Sequence, residues 1–110
     1  MVVGTTLLKL DGLAYYSPSF PRGGLAAVFA VDVTNLSGLS GFLITVEHRD
    51  EHDTTWTEAG AFTSITGVGT ATKDLADLKQ ILRFKYTLTG SNAYDGVHFI
   101  MQAPSWRPYP

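Results

Sequence analysis

Apolar and polar residues alternate with a period of two along most of the chain, and sustained helical periodicity is nearly absent. Residues 2–10 mix β-branched and apolar side chains and stop at Asp11-Gly12, a strong turn dipeptide. Residues 13–20 read as a short strand interrupted by Pro18, which confines it to a sheet edge or an extended loop. Pro21-Arg22-Gly23-Gly24 then resets the chain. From Leu25 the alternation is clean. Leu25, Ala27, Phe29, Val31 and Val33 share one face, and Ala26, Val28, Ala30, Asp32 and Thr34 share the other. The turn cluster Asn35-Leu36-Ser37-Gly38 is expected to end this strand.

Over 42–48, Phe42, Ile44 and Val46 point one way and Leu43, Thr45 and Glu47 the other, which predicts a half-buried strand. Residues 49–54 form a charged connection, and 56–65 resume as a strand with a bend at Gly60. Thr66-Gly67-Val68-Gly69-Thr70 reads as a flexible loop. Residues 73–80 are the one stretch with helical spacing: Leu75 and Leu78 lie three apart, and Thr72 or Asp74 could cap one or two turns. Over 81–89, Leu82, Phe84, Tyr86 and Leu88 alternate with Arg83, Lys85, Thr87 and Thr89, a strong strand pattern. A polar loop over 90–96 leads to a last strand over 97–103. With three prolines in seven residues, 104–110 is expected to form no regular structure.

Seven or eight short strands joined by turns, without βαβ alternation, predict an all-β fold. The expected architecture is a single antiparallel β-sandwich or jelly-roll-like domain over 1–103 with at most one short helix, followed by a Pro/aromatic C-terminal tail over 104–110. Its predicted core holds Phe29, Val31, Phe42, Ile44, Val46, Leu82, Phe84, Tyr86 and Phe99.

A length of 110 residues allows one hydrophobic core and little more. Charged residues make up 16%, against roughly 25% in a typical soluble domain, so the surface is polar by other means or covered by a partner. A formal net charge of −2 gives no electrostatic case for nucleic acid or an anionic membrane. No apolar run approaches the ~18 residues of a membrane span, and Met-Val-Val-Gly-Thr-Thr lacks the pattern of a signal peptide. The absence of cysteine excludes disulfides, thiol nucleophiles and thiolate metal sites.

The most polar stretch, Glu47-His48-Arg49-Asp50-Glu51-His52-Asp53, carries imidazole and carboxylate groups of the kind that bind metals. On a strand, however, Glu47 and His48 point to opposite faces, and the plainer reading is a solvated hairpin tip. His98 alternates with Val97 and Phe99 and is expected to face outward or towards a neighbour, so a triad with Asp95 has little basis. No Gly-x-Ser-x-Gly elbow occurs, and Gly67-Val68-Gly69 lacks the spacing of a phosphate loop. No catalytic, cofactor-binding or metal-binding residue is therefore assigned.

The aromatic residues are more informative. Tyr15 and Tyr16 are adjacent, so in an extended segment only one faces inward and the other is exposed or covered by a partner. Together with Trp56, Trp106, Tyr94 and Tyr109, Tyr15 and Tyr16 would allow carbohydrate stacking, the alternative function kept beside protein contact. In the tail, Trp106, Arg107 and Tyr109 sit among stiffening prolines, and these residue types anchor interfaces. That segment either folds back over its own sandwich or lies across a neighbouring subunit, with Trp106 as the chief anchor. Burial of its rings favours the second placement. Arg22 could bond local carbonyls or reach a partner. The candidate interface residues are thus Trp106, Arg107, Tyr109, Arg22, Tyr15 and Tyr16.

Several segments together carry a resemblance. They are Tyr-Ser-Pro-Ser-Phe-Pro-Arg-Gly-Gly (16–24), Val-Asp-Val-Thr-Asn-Leu-Ser-Gly (31–38), Thr-Val-Glu-His-Arg-Asp followed by Thr-Thr-Trp-Thr (45–57), Ile-Leu-Arg-Phe-Lys-Tyr-Thr-Leu-Thr-Gly (81–90) and the Trp-Arg-Pro-Tyr end. In this order they resemble small β-sandwich accessory proteins of tailed bacteriophage particles, either head decoration or tail-associated subunits. The resemblance implies a non-enzymatic virion structural protein, assembled in the host cytoplasm. Its implied partners are other copies of itself, or a major capsid or tail protein, and no cofactor or catalytic motif comes with it.

Overall fold

The computed structural model describes residues 5–9, 15–37, 41–89 and 96–107. Ten strands follow one another: β1 (Thr5–Lys9), β2 (Tyr15–Tyr16), β3 (Phe20–Pro21), β4 (Ala26–Ser37), β5 (Gly41–Arg49), β6 (Thr57–Ala61), β7 (Gly69–Leu75), β8 (Ile81–Thr89), β9 (Gly96–Met101) and β10 (Ser105–Arg107). No helix occurs among the described residues.

The pairing is that of one long hairpin folded over itself. β5 and β6 form its tip, and β4·β7, β2 and β3 with β8, and β1·β9 are successive antiparallel rungs. Alternate rungs fall in opposite sheets, and within each sheet one further pair joins its two rungs, β4·β9 in the first and β5·β8 in the second. One sheet has the order β1-β9-β4-β7, with β10 following β9 along β4. The other has β2-β8-β5-β6, with β3 following β2 along β8. This nesting is jelly-roll topology, two Greek keys closed face to face. The smallest extent of the molecule, 21 Å, suits two sheets packed about 10 Å apart with their outer side chains.

All nine residues expected in the core are buried, joined by Phe62, Ile65, Leu75, Leu78, Leu88, Val97 and Met101. Ring contacts run through it: Phe84 meets Phe20 and Phe29, and Phe99 meets Phe42 and Tyr86. The broken edge strand expected around Pro18 is real. Across the gap between β2 and β3, the Ser17 amide donates to the Phe84 carbonyl (2.9 Å), and the Phe84 amide donates to Ser17 Oγ (2.8 Å). Both polar groups of Phe84 are satisfied where proline halts the ladder.

Several expectations are corrected. The helix over 73–80 does not form. β7 runs from Gly69 to Leu75, so it also takes in the end of the supposed 66–70 loop, because β4 needs a partner along that side from Ala27 to Val33. Leu75 and Leu78 are both buried, but from a strand end and from the irregular turn after it, in which Asp77 adopts a left-handed φ of 55°. β4 does not stop at Asn35. One extra residue at Thr34 shifts the phase, so that Leu36 faces the core opposite Val97 and Asn35 is exposed. Leu25 lies outside the core, 38% exposed, because regular pairing begins only at Ala26. The regular part of 56–65 is Thr57–Ala61, and Ile65 returns through a single bridge to Phe42. Finally, 104–110 is not wholly irregular: Ser105–Arg107 pairs with Ala26–Val28 as β10. Prolines 108 and 110 lie outside the described residues.

Candidate interaction surface

The outer face of the second sheet gathers side chains that the sequence scatters. Arg83 and Glu47 are directly opposite on β8 and β5, and Arg83 Nε donates to Glu47 Oε1 at 2.8 Å. Tyr16 comes from β2 on one side of β8, and Trp56 from the residue before β6 on the other side. The Arg83 guanidinium carbon lies 4.2 Å from the Tyr16 ring centre and 4.4 Å from that of Trp56. Arg49 approaches the same indole, at 5.0 Å, while its Nη1 donates to the Asp53 carbonyl at 2.7 Å. One guanidinium is thus held by two rings and a carboxylate, and a second clamps the neighbouring turn. Cation–ring contacts of this kind contribute about 0.5–2 kcal/mol each, depending on exposure. Tyr16 remains 49% exposed, so the cluster opens to solvent.

Of the residues singled out in the sequence, Tyr15 and Tyr16 divide as expected. Tyr15 packs against the core and Tyr16 faces outward. Arg22 is engaged within its own chain, its Nη1 donating to the Leu78 carbonyl at 2.6 Å and its amide to the Gln80 carbonyl at 3.0 Å. Trp106 faces the interior half-buried, edge-on to Phe29 with ring centres 6.2 Å apart. Arg107 is on the outer face of the first sheet, paired with Asp74. Of the two placements open for the tail, Ser105–Arg107 takes the one on its own sandwich. Tyr109 lies outside the described residues.

The seat of β10 explains Gly23-Gly24. A Cβ on Gly24 would come within 2.2 Å of the Arg107 carbonyl oxygen, and one on Gly23 within 2.7 Å of the Trp106 indole. Glycine is required here for close approach.

The polar stretch around His48 disperses. Glu47 turns outward to Arg83, whereas His48 is buried on the inner side, its Nδ1 accepting the Lys79 amide at 3.1 Å. Burial, and then the Lys79 charge, hold the His48 imidazolium below the usual histidine range, with Asp50 opposing. Among the described residues no three His, Asp or Glu side chains are grouped to hold a metal ion. His98 faces outward next to Thr34, whose hydroxyl donates to the His98 carbonyl at 2.9 Å. No helix among the described residues is long and apolar enough to cross a membrane.

Sequence reasoning missed Arg83, Glu47 and Trp56 as a group. The phase of Arg83 and Glu47 was readable from alternation, but Trp56 lies just before β6, and adjacency across β2, β8, β5 and β6 depends on sheet order. No family model, no curated protein and no solved structure matches this chain.

Proposed function

We propose that this chain is a non-enzymatic structural subunit that works through contacts between protein subunits, in the manner of the accessory subunits on tailed phage particles. Its partners in this reading are other copies of itself and a major shell or tail protein. The observation that carries it is the Tyr16–Arg83–Trp56 stack on an open sheet face. Tyr, Trp and Arg dominate the binding energy of interfaces, and side chains already held in place lose little freedom on docking. Jelly rolls serve in capsids as well as in lectins, which is support by analogy of fold alone. A charged fraction of only 16% suits a surface largely covered by neighbours.

The carbohydrate reading is less well supported. A sugar stacks on an open ring face, and here one guanidinium already lies over both the Tyr16 and the Trp56 rings.

The test is self-association of the full chain, followed by light scattering after size exclusion and by electron microscopy. The native chain should assemble as its concentration rises. Arg83→Ala combined with Trp56→Ala should raise the concentration needed at least tenfold while leaving the circular dichroism spectrum unchanged. A chain that stays monomeric up to millimolar concentration would overturn the proposal.

A further inference from the structure

β10 is a strand with few ties. It has three register pairs on β4, Ser105 with Val28, Trp106 with Ala27 and Arg107 with Ala26. Beyond these it is held by the packing of Trp106 against the core, edge-on to Phe29, by its close approach to Gly23 and Gly24, and by the Arg107–Asp74 pair. It joins β9 through residues 102–104, where the register slips. Met101 is opposite Val31 and Ser105 opposite Val28, so one strand advances four residues while β4 advances three. A slip of this kind is where a ladder can part.

The seat is specific without being specific to its own chain. Gly23, Gly24, Ala27, Phe29 and Asp74 recognise a Trp-Arg strand, and an identical strand from a second copy makes identical contacts. The two states then differ mainly in the local concentration of the strand and in hinge strain. A short tether supplies an effective concentration on the order of millimolar. Copies packed side by side in a particle reach that density too, so the intramolecular advantage shrinks as subunits gather.

We propose that this seat receives the Ser105–Arg107 strand of a second copy, by reciprocal exchange between neighbouring subunits. This rests on the reading of the chain as a subunit working through contacts between copies, and it adds a second contact away from the Arg83 face.

Charge reversal in two full-length chains tests it. Asp74→Arg sets two cations against each other within one chain, and Arg107→Asp sets two anions against each other in the other chain. Both side chains are largely exposed, 60% for Asp74 and 45% for Arg107, so the fold should survive each change. Reciprocal exchange between the two variants restores both opposite-charge pairs. Native mass spectrometry of an equimolar mixture, with one chain isotope-labelled, should show heterodimer at least tenfold above the homodimer of either variant alone, and 1 M salt should reduce that excess. Heterodimer no more abundant than the homodimers means that copies associate through another surface. That result overturns strand exchange and leaves the subunit reading standing. If neither the native chain nor any variant associates, both fall.

Discussion

Single residues show how little tolerance the sandwich leaves at its centre. Phe84 is fully buried and touches the rings of Phe20, Phe29 and Tyr86. Phe84→Ala should cost about 3–5 kcal/mol, a large share of the roughly 5–15 kcal/mol expected for a domain of this size, as read from urea unfolding. The glycines offer a paired comparison. Gly24→Ala drives a Cβ into the Arg107 carbonyl, whereas Gly67→Ala meets nothing within 4 Å. The first should lower the melting temperature and expose Trp106, shifting its fluorescence to longer wavelength. The second should be neutral or raise stability by up to about 1 kcal/mol through the unfolded chain. His48 links the fold to pH. Its folded-state proton affinity is depressed below the ordinary value of 6.5, so the unfolded chain takes up the proton first as pH falls. The stability that neutral His48 contributes is complete above about pH 6.5 and is lost as pH drops towards the lower folded value. Melting curves from pH 8 to pH 5 should decline less for His48→Gln than for the native chain, and equal slopes would remove His48 as the cause.

At the scale of elements, the sheet edges formed by β7 and β6 are guarded. β7 closes one side of the first sheet, and Lys73 on it is paired with Phe29, which places its charge on the inward-facing side. An inward lysine on an edge strand discourages further strand pairing. Lys73→Val should therefore increase aggregation at a given concentration, seen by light scattering together with a β-rich infrared signal. Unchanged solubility would show that the edge is protected by other means. β6 is short and bulged, with Ala59 as its extra residue, and Glu58 stands opposite Glu47. β7 and β6 thus discourage strand pairing at two of the four sheet edges, the others being β1 and the broken β2–β3 edge. For β10 itself, Trp106→Ala should cost about 2 kcal/mol, below the 3–5 typical of a fully buried aromatic because this indole is half-buried. Thermal melts check that figure.

For the molecule as a whole, the folded-over hairpin brings together parts distant in sequence. The 74–80 segment binds the 22–25 segment through Leu78 and Arg22, and both border the seat of residues 105–107. Three stretches of chain meet at this one end of the sandwich. Deleting 104–110 should consequently destabilise the isolated domain as well as weaken the proposed assembly, because Ser105–Arg107 pairs with β4 of its own chain. An unchanged melting temperature after deletion would mean that the seat adds nothing to the fold.

Alternation alone settled the all-β class and the inward phase of β4, β5 and β8, because side chains on a strand must take opposite faces whatever lies next to it. It also settled that Tyr16 would be exposed if Tyr15 were buried. It could not settle 73–80, where a Leu spacing of three suits a helical turn as well as a strand end followed by a turn. The choice went to the strand because β4 had backbone groups to satisfy along that side. Neither could it place Trp106, since proline content limits regular structure without saying which surface lies within reach. The glycine pair at 23–24 decided that. The Tyr16–Arg83–Trp56 cluster depended on tertiary structure altogether: its members lie 27 to 67 positions apart in the chain and become neighbours only through the order β2-β8-β5-β6, a long-range pairing that no local pattern encodes.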